Sequence, residues 1–385
     1  MNQQQTTHGK RRSLYTRPQQ KQFDAKVPGE LLSYLQTLDN NTSLRPIYDA
    51  SEVQLDESAK MIRDGFQFTA SAFRQAAQIL APGLSKFLPD IAGTAGQTTG
   101  RSSLVDGQYA IKMWNNLVDL RFPLFERYRI IRNDHEKTIE GFVSHKHQYL
   151  ENVALYREAS ENLLTYHPSV SMYAAVLIGR RFSVWFRNSN RLFTIKVDGQ
   201  DWPFHAGYFF TNGEATGTSV RGTLAIFTPK GVCLGSYRKF GRRVTHVGRD
   251  FMSRLGAMIA TVLQCEIPFD KLKNGAEELL TKSLGYGSDC IVEKRKERSK
   301  KISHSLGLLG VQKNLATEIV RMSLAAGRYQ GMEATTFEQV HKLYASRTSL
   351  DIIIPLLWEA RQVDLTRREK LEQAAFDVLM GRLIL

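Results

Sequence analysis

The sequence predicts an α+β fold: an antiparallel β-sheet with helices packed on one face, flanked by helical N- and C-terminal regions. Three observations predict it. Between residues 171 and 235, short apolar runs follow one another with only turn residues between them. Strands so close together need hairpins, and hairpins make antiparallel pairs. Residues 249–264 then place Phe251, Leu255, Met258, Ile259, Val262 and Leu263 on one stripe at i, i+4, i+7, i+8, the spacing of a helix. A chain of 385 residues with 42% apolar side chains can bury a sizeable core and is typical for more than one domain.

Residues 1–30 read as a flexible basic arm, rich in Gln and poor in core residues. Residues 31–125 read as a helical region with a glycine-rich loop. Ile62, Phe66, Phe73, Ala77 and Leu80 give near-helical spacing over 56–80, and Pro82, Gly83 and Pro89 end it. GTAGQTTGR at 93–101 is the loop, and a second helix is expected around 107–120 with Trp114 and Leu117 on its inner face.

Residues 126–265 read as the sheet-plus-helix core and the nucleic-acid-binding part. Tyr128–Arg132 and Thr138–Val143 are two strands around the turn Asp134–Lys137, and a helix follows over 147–164. MYAAVLIG, FSVWFRN, RLFTIKV, AGYFFTN and SVRGTLAIF are the next strands, broken at Gly179-Arg180, Ser189-Asn190, Asp198-Gly199 and Gly213–Gly217. Residues 266–310 read as a basic linker and 311–385 as a helical C-terminal region. There Thr366 and Glu369 have capping-box spacing.

The chain carries 52 Lys and Arg against 38 Asp and Glu, a net charge of +14. The excess is concentrated: net +4 over residues 1–30, net +9 over 179–254, and net +4 in EKRKERSKK at 293–301. Such a balance points to nucleic acid first and an anionic membrane second. No apolar run reaches the ~18 residues of a membrane span, and Met1–Phe23 has no apolar stretch of a secretory leader. Cys233, Cys265 and Cys290 are widely spaced, which excludes a disulfide framework and a thiolate zinc site and leaves reduced thiols.

Strand alternation sorts side chains onto two faces. Phe182, Val184 and Phe186 share one face, as do Val220, Leu224 and Ile226 in a later strand. A one-faced core then leaves Trp185, Arg187, Lys196 and Arg221 together on the open face. Arg180, Arg181, Tyr237, Arg238, Lys239, Arg242, Arg243 and Arg249 flank it. Basic side chains interleaved with aromatic ones suit a single strand: cations neutralise phosphates, and rings stack on unpaired bases.

Enzyme chemistry finds no support. The only Gly-Lys is Gly9-Lys10, followed by Arg11, so there is no P-loop. No Gly-x-Ser-x-Gly or His-Glu-x-x-His occurs. His145 and His147 lack a partnering carboxylate or cysteine pattern, so no metal is expected, and no cofactor. A magnesium nuclease needs clustered carboxylates, whereas Asp198, Asp201, Glu214 and Asp250 of the basic block fall mostly in turns.

The pieces YRIIR at 128–132, Tyr149 and Leu150, Asn212-Gly213-Glu214, Gly217, Ser219, Arg221, Val232-Cys233 and Thr245-His246-Val247-Gly248 resemble an uncharacterised family found in phages, plasmids and prophages. Where that family has an Asn-Gly pair after the cysteine, this chain has Leu234-Gly235. The architecture is also similar to phage single-strand annealing proteins: antiparallel sheet, helix behind it, basic flanks, no ATP site. These resemblances imply a non-catalytic, phage- or mobile-element-encoded protein of the host cytoplasm that binds and anneals single-stranded DNA in recombination or replication. The implied partners are single-stranded DNA, further copies in a ring or filament, and a phage nuclease or single-strand-binding protein, with no membrane. The alternative is a phage structural or assembly protein touching DNA or another acidic partner through its basic segments. IIIPLLW at 352–358 and the final GRLIL are apolar enough to form a subunit interface or to pack back on the core.

Overall fold

The computed structural model describes residues 15–16, 20–24, 28–80, 107–197, 200–213, 219–228, 231–234, 241–265, 269–281, 291–325, 348–362 and 365–382. The glycine-rich loop at 93–101 and residues 235–240 lie outside them. The fold is α+β.

The chain begins with strands β1 (Tyr15–Thr16) and β2 (Gln20–Asp24), helix α1 (Pro28–Asn40) and strand β3 (Thr42–Pro46). Strand β4 (Gln67–Thr69) leads into α2 (Ala70–Leu80). Helix α3 (Gly107–Arg121) precedes the hairpin β5 (Tyr128–Asn133) and β6 (Thr138–Ser144). All of these strands but β2 form a five-stranded mixed sheet in the order β1-β4-β6-β5-β3. Its core is aromatic. Phe73 stacks on Trp114 at 4.9 Å between centroids, and the Trp114 indole N–H donates to the Val53 carbonyl at 2.8 Å.

Two expectations change here. The stretch 56–80 is helical only from Ala70, because Ala59 at φ 60° and Gly65 at φ 71° hold left-handed conformations that no helix contains. The expected arm at 1–30 contributes a strand to each of two sheets: β1 pairs with β4, and β2 pairs with β7 of the larger one. Lys21 lies 4.0 Å from the Tyr34 ring centroid, tying β2 to α1.

Helix α4 (Asn152–Tyr166) opens the second unit. The strands β7 (Val170–Ile178), β8 (Arg181–Asn188), β9 (Phe193–Val197), β10 (Gln200–Gly213), β11 (Val220–Thr228), β12 (Gly231–Leu234) and β13 (Arg242–Val244) follow. They build an eight-stranded antiparallel sheet in the order β12-β11-β10-β8-β7-β2, with β13 on β11 and β9 on β10. The β7–β8 turn is Gly179-Arg180, and Gly179 sits at φ 54°, where a two-residue hairpin turn wants glycine. At Gly207 a Cβ would stand 2.0 Å from the Phe186 carbonyl oxygen, so the close approach of β10 to β8 requires glycine.

Helix α5 (Phe251–Leu263) packs with α4 on the first face of this sheet. Tyr156, Leu163, Leu255, Ile259 and Val262 meet Phe182, Val184, Phe186, Phe210, Leu224 and Ile226 in one core. The C-terminal region is helical: α6 (Phe269–Thr281), α7 (Ile291–Leu308), α8 (Lys313–Ala325), α9 (Leu350–Gln362) and α10 (Leu365–Leu379). The expected basic linker is thus largely α6 and α7. Ile352, Ile353, Leu356 and Leu357 of α9 are buried in the chain's own core beside Ile302, Leu306 and Ile319. Among the described residues no helix is long and apolar enough to cross a membrane.

Candidate nucleic-acid interface

The second face of the large sheet is the one expected to be open. Cross-strand register assembles it in rows, because directly opposed residues share a face. One row runs Arg243, Arg221, Thr211, Ser183 and Val176 across β13, β11, β10, β8 and β7. The next holds Thr223, Phe209, Trp185 and Ala174. Arg181 and Arg187 stand two positions either way from Ser183 and Trp185 on β8. The grouping of Trp185, Arg187 and Arg221 therefore holds, and Arg181 and Arg243 join it.

Its exposure does not. Trp185 is fully buried among Val176, Phe209, Ala225 and Phe227. Helix α10 reaches this face, so helices pack on both faces of the sheet rather than one. The Arg368 guanidinium lies 4.0 Å from the Trp185 ring centroid and donates to Glu372 at 3.0 Å. Arg181 donates to Glu369 at 2.6 Å. Burial raises the Glu369 carboxyl above the usual range, while Arg181, Arg221 and the Ser183 hydroxyl pull it down. Glu369, expected to close a capping box, is committed to the sheet instead. Trp185 in this arrangement is a core residue, not a platform open to a base.

Arg180 is a second correction. It is 3% exposed. From the β7–β8 turn it points into the junction with the small sheet, 3.8 Å from Asp39 and hydrogen-bonded to the Thr42 hydroxyl. Glu140 of β6 feels the same guanidinium, and its carboxyl is raised by burial. Burial also pushes Asp39 up to about 6, opposed by the Val153 amide and Arg180 and reinforced by Glu151. Arg180 therefore neutralises a buried acidic junction and is not exposed to solvent.

The solvent-facing cations are Arg187, Lys196, Arg242, Arg243 and Arg249. Arg242 and Arg243 form the outer strand β13, and Arg249 follows just before α5. Arg187 lies 4.9 Å from the Tyr173 ring centroid on the second face. Lys196 is not part of this grouping: on β9 it opposes Asp201 of β10. Tyr237, Arg238 and Lys239 lie outside the described residues. Another exposed basic stripe, Lys296, Lys300 and His304, follows one side of α7 at i, i+4, i+8.

The residues that carried the family resemblance do architectural work. Asn212 is buried and donates to the Leu150 carbonyl at 3.0 Å and to Asn152 at 2.9 Å. His246 stacks on His147 at 4.7 Å and on Phe251 at 5.0 Å, closing the large unit on the loop after β6. Burial lowers its pKa, while contact with the Gln148 carbonyl raises it. Gly248 turns at φ 101°, where a Cβ would press on Asp250 at 2.9 Å.

Sequence reasoning missed Arg368, Glu369 and Glu372. The RREKLE spacing signals an ion pair along a helix, but nothing in it names the sheet as the helix's partner. Cys265 is half-buried and unbridged, while the side chains of Cys233 and Cys290 lie outside the described residues. Among the described residues no cluster of three or more His, Cys, Asp or Glu could hold a metal ion. No family model, no curated protein and no solved structure matches the chain.

Proposed function

We propose that this is a non-catalytic single-stranded DNA-binding and annealing protein, encoded by a phage or mobile element and acting in the host cytoplasm during recombination or replication. The observation that carries the reading is the outer strand β13. It presents Arg242 and Arg243 to solvent at one edge of an antiparallel sheet, with Arg249 close behind. Arg243 stands beside Arg221 on the second face and Arg242 beside Gly222 on the first, so the edge offers a cation on each side; phosphate contacts release counterions and supply most non-specific affinity. Arg187 beside Tyr173, on β8 inside the sheet, is a separate cation next to an aromatic ring. Annealing further requires several subunits to hold one strand extended, so the working form is a homo-oligomer, ring or filament, open to a nuclease or single-strand-binding partner.

The test is a salt titration against single- and double-stranded oligonucleotides of one length. With about six phosphates contacted, log Kobs should fall against log salt with a slope of about −4 for the single strand. Binding that is absent at low salt, or indifferent to salt, overturns the reading.

A further inference from the structure

We infer that the second face of the large sheet is a phosphate- and base-binding face for single-stranded nucleic acid, held closed by the first turns of α10. The inference rests on the nucleic-acid reading above and deepens it. Arg243 at the exposed edge is followed inward, in a straight cross-strand row, by Arg221, Thr211 and Ser183, with Arg181 beside them. The cationic track of the edge therefore continues under the helix instead of stopping at it.

What α10 places there has the chemistry of the ligand. Glu369 brings anionic oxygens to Arg181 at 2.6 Å and to the neighbourhood of Arg221. Guanidinium groups bind carboxylate and phosphate by the same forked geometry. Arg368 lays a flat delocalised group over Trp185 at 4.0 Å, the surface on which a base would stack. Ser183, Thr211 and Thr223 add hydroxyls of the kind that contact phosphate oxygens. A face meant only to be covered would be at least as stable if filled with apolar side chains, because buried ion pairs recover little of their desolvation cost.

The helix is divided in the way that release requires. Arg368, Glu369 and Glu372 lie in its first two turns. Leu371, Ala374, Ala375, Phe376, Val378 and Leu379 anchor the helix from Leu371 onward in the C-terminal core. Unwinding the first turns exposes Arg181, Arg221 and Trp185 without removing the anchor. A strand already held at Arg242 and Arg243 would then exchange its phosphates for the Glu369 carboxylate.

The experiment is hydrogen exchange on the full chain with and without an oligothymidylate probe, at a salt concentration where the probe binds. Amides of residues 365–370 are expected to exchange faster in the complex, while those of 374–379 stay unchanged. In parallel, Glu369→Gln should tighten probe binding by roughly 5- to 150-fold, the range of ordinary couplings between sites. It raises the open fraction on which the apparent affinity depends. If the probe binds and its binding depends on Arg242 and Arg243, yet exchange at 365–370 is unchanged or slower, this inference is overturned and the nucleic-acid reading survives. If the probe binds neither the unmodified chain nor the variant, the underlying reading has failed. The exchange result on the unmodified chain decides the case should the variant not fold.

Discussion

On one face of the large sheet, Phe182, Val184, Phe186 and Phe210 lie in one apolar core with residues of α4 and α5. One residue along the same strands, the other face offers Arg181, Ser183, Trp185, Arg187 and Thr211, met by Arg368, Glu369 and Glu372 of α10. Both faces are covered, yet they are covered by different physics. The first gains from removing apolar surface from water. The second must satisfy every charge it buries, and gains little net energy for doing so. This asymmetry is the observation on which the proposed opening of the second face rests.

The sharpest way to break this comparison is to truncate one large side chain on each face. Phe210→Ala and Trp185→Ala should each cost about 3–5 kcal/mol, as large-to-small core changes do. Urea denaturation measures both. A Trp185→Ala protein that keeps its stability while losing DNA affinity would show that the face is open in solution.

Arg180→Ala comes next. Removing the cation leaves Asp39 and Glu140 buried together, and breaking such a pair costs about 3–5 kcal/mol. Arg187→Ala, at an exposed site on the following strand β8, should stay within about ±0.5 kcal/mol. Equal losses for the two would mean that burial is not what separates them.

The Asp39 carboxyl offers a pH test of the same junction. Its folded pKa of about 6 stands above its unfolded value of 3.8, so the protonated form is favoured by folding. The stability it contributes is complete below 3.8 and is lost as pH rises through 6. His246 acts in the opposite sense: its depressed pKa contributes stability above the ordinary value of 6.5 that is lost on acidification. The informative quantity is therefore the difference between the unmodified chain and Asp39→Asn. The substitution should remove the loss between pH 4 and 6 and raise stability most near neutrality. A difference that does not vary with pH would exclude a buried, titrating Asp39.

Much of the architecture was legible in the residues. Alternation in 171–228 placed β7, β8, β9, β10 and β11, and the stripe from Phe251 to Leu263 placed α5, because strand and helix periods are local properties. Alternation also grouped Trp185, Arg187 and Arg221 correctly. What it could not supply is the cover. Whether a face is open depends on α10, which lies about half the chain length further on, and its polar contacts carry no apolar stripe to reveal them. Arg180 was misplaced for a similar reason: a turn residue looks exposed until Asp39 and Thr42, contributed by a distant helix and strand, close around it. The stretch 56–80 misled through spacing alone, since the backbone at Ala59 and Gly65 overrode it.

The central claim is that the cations at the sheet's outer edge bind the strand first, while those beneath α10 stay covered until the helix opens and Arg180 at the junction holds the fold. The double substitution Arg242→Ala with Arg243→Ala tests it most directly, read as melting temperature together with the salt dependence of single-stranded DNA binding. The account predicts a stability change within about ±0.5 kcal/mol per site. It also predicts weaker binding and a log–log slope shallower by about one to two, one for each lost phosphate contact. Unchanged affinity at every salt concentration would contradict it and place the strand on another surface, with the exposed stripe of Lys296, Lys300 and His304 on α7 the first to examine.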